Sequence, residues 1–161
     1  MPNHCTNNII ITGPESDVEK FWNGIKKFQG YDESENGELD IFQSYTPMPV
    51  ELRGTESPKD SPNWYDWACE NWGTKWGMYD TDFDFRNGLV IGRYDSAWGP
   101  CDAGILNVSK LFPTLTFKVD YCEPGMAFMG RQVCQNGEET ESWSREMTDE
   151  DFEELGYNDE D

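Results

Sequence analysis

The chain has 161 residues, of which 32 are acidic and 12 basic, so its formal net charge is −20 and its sequence pI is near 4.1. A field of that sign repels nucleic acid, anionic membranes and phosphorylated ligands, and it attracts basic protein surfaces. The aromatic content of 14% argues against a disordered chain, and the length predicts one domain with a buried core.

The acidic residues are concentrated at the C-terminus. Twelve acidic residues and one basic residue, Arg145, lie between Glu138 and Asp161, so this segment carries a charge of −11. We therefore expect a single domain over residues 1–144, followed by an acidic C-terminal helix and tail over residues 145–161.

Cysteine and histidine usage points to a reduced, metal-free protein. The five cysteines are widely spaced without a CxxC pair, and no apolar run approaches the ~18 residues of a membrane span. We expect free thiols in a cytoplasmic protein, with no cofactor and no membrane association. His4 is the only histidine, so no metal site is expected.

The N-terminal part predicts a strand, a helix and a second strand. Residues 8–12 form a short apolar run that Gly13 and Pro14 end, which is typical of a buried strand. Ser16 and Glu19 have capping-box spacing and predict the start of a helix. Apolar residues at helical spacing continue to residue 28, so the predicted helix has two lysines at its C-terminus. Residues 39–45 are expected to form the second strand.

Four of the seven tryptophans lie between residues 64 and 76. Ser61 and Pro62 predict a helix start, and Gly73 predicts its end. One apolar stripe at helical spacing is formed by Trp64, Trp67, Ala68 and Trp72. The stripe favours a helix docked on the core. The alternative is a stacking platform, in which Trp72, Trp76 and the Trp98 loop form an aromatic pocket for a small molecule or nucleotide.

Residues 78–85 alternate as a half-buried strand does, with Asp80, Asp82 and Asp84 on one side. An EF-hand is excluded because Phe85 and Ile91 stand where that loop needs Gly and Glu. Alternate strand residues are about 6.6–6.8 Å apart, so the three aspartates form a regular row of negative charge. We expect this row to be either a solvated strand face or, continued by the acidic tail, a surface that fits a groove for a phosphate backbone.

The C-terminal part predicts a helix, three strands and a last helix. The helix follows Asp102, the strands cover residues 114–121, 126–134 and 138–144, and Thr148 caps an acidic helix over residues 149–155. The overall order predicts an α+β fold, a ferredoxin-like split βαβ sandwich. To it we add a helix-plus-strand insertion at about residues 46–88, an extra C-terminal hairpin and the short acidic helix.

Several motifs in this order resemble a known family. They are the opening Met1 to Asn8, the turn Pro47-Met-Pro49, Glu70 to Trp76, Ser96-Ala-Trp-Gly-Pro100, Leu111-Phe-Pro113 and Tyr121 to Gly130. Together they are similar to the YubB-type ferredoxin-like domain proteins of phages and conjugative plasmids, over about residues 1–137. The resemblance implies a ferredoxin-like fold and a mobile-element origin, and it implies no particular activity. The chain departs from the family pattern at residues 94–101 and in its acidic tail.

The sequence does not indicate an enzyme. A histidine is the usual general base, and His4 is present only beside Cys5 in a polar N-terminus. We instead expect a non-catalytic phage or mobile-element accessory protein, whose DNA-mimic-like acidic surface binds and inhibits a host nucleic-acid-handling protein of anti-phage defence. The partner is basic, and the chain itself does not bind nucleic acid. The predicted binding residues are Asp80, Asp82, Asp84, Glu138, Glu139, Glu141, Asp149, Glu150, Asp151, Glu153 and Glu154. The sequence leaves the target, the choice between these two acidic surfaces and the oligomeric state open.

Overall fold

A computed structural model of the chain describes residues 3–157. This described part contains nine strands: β1 (His4–Thr12), β2 (Lys26–Gln29), β3 (Asp32–Glu33), β4 (Glu38–Asp40), β5 (Tyr79–Arg86), β6 (Leu89–Ala97), β7 (Thr116–Glu123), β8 (Phe128–Gln135) and β9 (Glu138–Glu146). Its α-helices are α1 (Glu15–Gly24), α2 (Ile41–Tyr45), α3 (Trp64–Asn71), α4 (Asp102–Leu111) and α5 (Asp149–Glu154).

The main sheet has six antiparallel strands in the order β5-β6-β1-β7-β8-β9. Its first four strands, together with α1 and α4, follow the β-α-β-β-α-β order in which the first strand lies in the sheet interior. The predicted ferredoxin-like class is therefore confirmed, and β8 and β9 form the predicted extra hairpin at one edge.

The core lies between one face of this sheet and the helices. Alternate residues of β1 point inward, and Cys5, Ile9 and Ile11 are fully buried, while their neighbours remain accessible. The predicted free thiols are also present, since all five cysteines are unpaired and four of them are buried. The opposite face, called here the open face of the sheet, is not covered by α1 or α4.

Helix α1 is shorter than predicted. It ends at Gly24, and the two lysines expected at its C-terminus instead lie on β2. Tyr45 supplies the reason, because its Oη donates a hydrogen bond of 2.6 Å to the carbonyl oxygen of Phe21. If the α-helix continued, the carbonyl oxygen of Phe21 would accept the backbone N–H of Ile25. In the structure the N–H of Ile25 instead donates to the carbonyl oxygen of Trp22. The predicted Ser16 cap is also wrong, since α1 begins at Glu15 without a side-chain cap.

The strand predicted over residues 39–45 is wrong. Only its beginning is extended, in β4, and α2 follows directly. Asp40 causes the change of conformation, because its Oδ1 accepts the backbone N–H of Gln43 at 2.9 Å as an N-cap does. Strands β2, β3 and β4 form a separate small sheet in the order β3-β2-β4.

The second strand of the ferredoxin-like core is β5, which carries the aspartate row. The sequence predicts this strand within the insertion, at about residues 46–88. An insertion with a helix and strands is present, but it occupies the chain between α1 and β5 and includes the small sheet, α2 and α3. Helix α3 begins two residues later than Pro62 suggested, because Asn63 is its N-cap.

The acidic C-terminal helix forms as predicted. Thr148 and Asp151 make a capping box at the start of α5, and the buried Met147 donates its backbone N–H to Ala127 at 2.7 Å. These contacts attach α5 to the sheet. The last three acidic residues of the predicted tail lie outside the described residues.

Candidate functional site

The aspartate row on β5 is interrupted and partly neutralised. A β-bulge separates Tyr79 from Asp82, and Asp80 has a positive φ of 50°. Asp84 accepts a hydrogen bond of 2.7 Å from Arg86, and Asp82 lies directly opposite Arg93 on β6. The structure therefore confirms the alternation of the strand, but the three carboxylates do not form a regular row of unpaired charge.

Most acidic residues of β9 and α5 are exposed, as the three aspartates of β5 are. Every residue of β9 is exposed. Two acidic residues in this region have ion-pair partners, since Asp151 pairs with Arg145 at 2.7 Å and Glu141 lies 3.6 Å from Arg131. Arg145 holds the pKa of Asp151 well below its usual range by donating hydrogen bonds to it. In the described part of β9, α5 and the residues between them, seven exposed acids have no ion pair, and they are called here the C-terminal acidic surface: Glu138, Glu139, Glu146, Asp149, Glu150, Glu153 and Glu154.

The two acidic regions lie at opposite edges of the main sheet. Strands β5 and β9 are its first and last strands, and five steps of about 4.8 Å put them about 24 Å apart. The expected continuous surface, in which the tail continues the aspartate row, is therefore not present.

One row of side chains crosses the open face of the sheet from β5 to β9. The strand registers bring Asp82 opposite Arg93, Arg93 opposite Asn8, Asn8 opposite Asp120, Asp120 opposite Arg131, and Arg131 opposite Trp143. The pair at its centre is tight, because Arg131 Nε donates to Asp120 Oδ1 at 2.6 Å. Leu155, directly after α5, lines a depression over this row together with Trp143. The open face thus has balanced charges and is partly covered by the C-terminal segment.

The three tryptophans predicted to line one pocket do not come together. Trp72 is 1% exposed, stacks on Phe42 and donates its indole N–H to the carbonyl oxygen of Thr46 at 2.9 Å, so it is a core residue. Trp98 is 52% exposed in the loop after β6. Trp76, at 46% exposure, lines a cavity to which neither of the others contributes.

That cavity has a volume of ≈ 320 Å³ and lies between the small sheet, α2 and β5. Its polar lining includes Glu38, Asp40 and Gln43. Burial raises the pKa of Asp40 to about 7, against the backbone hydrogen bonds it accepts, and Glu38 adds to the rise. Sequence reasoning missed this site because its walls come from distant segments.

The candidate Cys5–His4 pair has no catalytic geometry. Neighbouring strand residues point to opposite faces, and Cys5 is fully buried while His4 is exposed and hydrogen-bonded to Tyr79 Oη at 2.6 Å. Burial raises the pKa of the Cys5 thiol far above its usual value, which keeps it protonated and weakly nucleophilic.

Residues 3–157 contain neither a membrane-spanning helix nor a cluster of metal-binding side chains. None of the helices in that range is long and apolar enough to span a lipid bilayer. The same residues contain no group of three or more His, Cys, Asp or Glu side chains placed to hold a metal ion.

Known proteins share this fold. Residues 71–160 match the family model described as the ferredoxin-like domain in Api92-like protein. The chain is also similar to the crystal structure of protein api92 from Yersinia pseudotuberculosis, with a TM-score of 0.55 and 11% identity over 92% of this chain and 99% of that chain. At this identity the likeness bears on the fold alone. No curated protein matches the sequence. The YubB-type resemblance stays a prediction.

Proposed function

The chain belongs to the family of the ferredoxin-like domain in Api92-like protein, and for this scaffold we propose a non-catalytic binding function. The protein inhibits a basic, nucleic-acid-handling partner by occupying its groove for the phosphate backbone with an acidic surface. The motif resemblance to YubB-type proteins supports a phage or conjugative plasmid as the source, and a host anti-phage defence protein in the host cytoplasm as the target.

The observation that carries this proposal is the C-terminal acidic surface. It combines seven exposed carboxylates with a rigid attachment, because the capping box and the Arg145–Asp151 pair order the segment. On α5, Asp149 and Glu153 are four residues apart, and so are Glu150 and Glu154, so each pair is spaced by about 6 Å along the helix. An ordered, repeated arrangement of unpaired carboxylates suits a groove built for phosphates better than a flexible acidic tail would, because less conformational entropy is lost on binding.

The aspartates of β5 are weaker candidates for the same role. Arg86 forms an ion pair with Asp84, and Arg93 lies opposite Asp82 in the strand register. A partner would have to compete with Arg86 for Asp84, and the interrupted spacing leaves Asp80 apart from the other two. We therefore assign the main contact to β9 and α5.

Nucleic acid itself is not the proposed ligand. RNA-binding domains with this fold use the aromatic side chains and accessible surface of the open sheet face. Here that face carries balanced ion pairs, Leu155 lies over part of it, and the whole chain has a charge of −20. The long-range field opposes the approach of a polyanion.

The test is affinity capture from bacterial lysate at low salt, with variants that remove equal charge from different surfaces. The first variant replaces the seven residues of the C-terminal acidic surface by their amides. The matched control does the same at seven exposed acids elsewhere: Glu15, Glu19, Asp32, Glu33, Glu35, Glu51 and Glu70.

We expect the wild type and the control variant to retain a basic, nucleic-acid-binding partner that added salt releases. The C-terminal variant should lose at least nine-tenths of that capture, since close charge pairs across an interface dominate such binding. Equal loss in both variants would contradict the proposal, because net charge and not a defined surface would then be responsible. If both variants captured the partner as well as the wild type does, the proposal would also be contradicted.

A further inference from the structure

The cavity beside Trp76 has walls whose chemistry selects for positive charge. We propose that it binds an organic cation, namely a guanidinium or alkylammonium group. This inference does not depend on the proposed function, because the cavity adjoins β5 and the C-terminal acidic surface lies at the opposite edge of the sheet.

Aromatic rings form one part of the wall. Tyr31, Trp76 and Tyr79 line the cavity, and the rings of Trp76 and Tyr79 meet edge to face at 6.1 Å. The chain already places cations on two of these rings, since Lys75 Nζ lies 4.2 Å from the Trp76 ring centre and the Arg53 guanidinium lies 5.3 Å from that of Tyr31. Both rings therefore already take part in cation–π contacts within the chain.

Carboxylates form the second part. Glu38 and Asp40 line the cavity, whereas none of its described lining residues is a lysine, arginine or histidine. Both carboxylates are held in place: Glu38 Oε2 accepts the backbone N–H of Asp80 at 3.0 Å, and Asp40 Oδ1 accepts that of Gln43 at 2.9 Å. Burial opposes the ionised form of Asp40, and a cation in the cavity would offset that cost by attracting the carboxylate.

Gln43 is the independent indication of a ligand. Gln43 lines the cavity and is only 6% exposed. Its side-chain Oε1 has no hydrogen-bond partner among the described residues. Buried polar groups in native proteins are almost always paired, because an unpaired one loses its hydration without gaining a hydrogen bond. A guanidinium or ammonium donor would provide the missing partner.

The size and charge of the cavity narrow the ligand class. At ≈ 320 Å³ it lies at the small end of known ligand sites, and it fits one basic side chain or a small free cation. The two carboxylates disfavour the phosphates of a nucleotide, so the nucleotide form of the predicted aromatic pocket does not fit this site. A basic side chain of a partner protein and a free organic cation remain as sources of the same chemistry.

The test uses NMR of ¹⁵N-labelled protein with matched cationic and neutral probes. Methylguanidinium is titrated against its neutral isostere methylurea, while the indole N–H of Trp76 and the side-chain amide of Gln43 are followed. We expect methylguanidinium to shift both signals with a millimolar dissociation constant, as suits a small fragment, and methylurea to bind at least tenfold more weakly. Equal binding of the two probes, or no shift at either signal, would overturn the inference.

Variants locate the site without depending on one side chain. Asp40→Asn keeps the N-cap but removes the charge, Trp76→Leu removes the ring, and Trp76→Phe restores part of it. We expect about tenfold weaker methylguanidinium binding in the first two, with partial recovery in the third. The matched control, Trp143→Leu, removes a half-exposed tryptophan at the other sheet edge and should change nothing. Unchanged affinity in both Asp40→Asn and Trp76→Leu would overturn the assignment.

Two further titrations distinguish the sources. The first titration uses a short arginine peptide and the same peptide with citrulline in place of arginine. If the arginine peptide binds at least tenfold more tightly than methylguanidinium and the citrulline peptide does not, the natural ligand is a side chain of a partner protein. Binding of methylguanidinium or tetramethylammonium with exclusion of the peptide identifies a free cation. Either result supports the cation site.

Discussion

Asp40 makes a prediction about stability that follows from its burial. The folded protein raises its pKa from the ordinary value of 3.8 to about 7, mainly through lost hydration. The native state therefore binds the proton more tightly than the unfolded state does. The resulting stabilisation is fully present below about pH 4 and is lost as the pH rises through about 7.

The size of the effect follows from the shift. At about 1.4 kcal/mol per pKa unit the full shift corresponds to about 4 kcal/mol, of which about two thirds falls between pH 5 and pH 8. Asp40 keeps part of its solvent exposure, which screens its charge, so we expect the stability change between pH 5 and pH 8 to be about 1–2 kcal/mol.

Asp40→Asn isolates this contribution. Asparagine does not ionise and is an equally good N-cap, so α2 should persist. The free energy of unfolding, measured by urea titration at each pH, should rise in the variant relative to the wild type by about 1–2 kcal/mol from pH 5 to pH 8. Asp32→Asn removes an exposed charge from the same small sheet and serves as the matched control for the loss of one carboxylate. A difference between Asp40→Asn and the wild type that does not change with pH would refute the reasoning, because Asp40 would then titrate as a solvated acid.

Three other substitutions test which contacts stabilise the scaffold. Trp72→Ala should lower the free energy of unfolding by about 4 kcal/mol, since it removes a buried ring and a hydrogen-bonded indole. Trp98→Ala, in the exposed loop, should lower it by less than about 1 kcal/mol. A similarly small loss for Trp72→Ala would contradict the core role of Trp72. Thr148→Ala removes the capping box of α5 and should lower its local stability by about 1 kcal/mol, which amide exchange at Phe152 would detect without change in the central strands. Unchanged exchange at Phe152 would mean that other contacts hold α5.

Strand alternation and turn chemistry predicted much of the fold. Residues of β5 alternate as expected, and Asn87-Gly88 and Asn136-Gly137, whose sequences are typical of hairpin turns, adopt the positive φ angles that join hairpin strands. These signals are local, so the sequence alone carries them.

The errors arose where distant contacts decide the local structure. The apolar residues keep helical spacing past Gly24, but the helix ends there. The hydroxyl of Tyr45, which is distant in sequence, donates to the carbonyl oxygen of Phe21, and the next helical turn would need that oxygen as an acceptor. The start of α2 did have a local signal, because Asp40 and Gln43 have N-cap spacing, but its β-branched and aromatic residues favoured a strand.

The candidate sites divide in the same way. Exposure of the acids on β9 and α5 follows from their density in the sequence. The partial neutralisation of β5 depends on the register that puts Asp82 opposite Arg93, which no local pattern specifies. The cavity requires Tyr31, Asp40 and Trp76 to converge from three segments, so only the folded structure reveals it.

The most direct test of the central claim is displacement of DNA from the captured partner. The purified partner is bound to fluorescent duplex DNA, and the chain is added in increasing amounts while the fluorescence anisotropy is followed. We predict that the wild type and the control variant with seven amides elsewhere release the DNA at near-stoichiometric amounts, while the C-terminal amide variant does not. Release of the DNA by all three proteins alike, or a complex in which partner, DNA and chain remain together, would contradict the account.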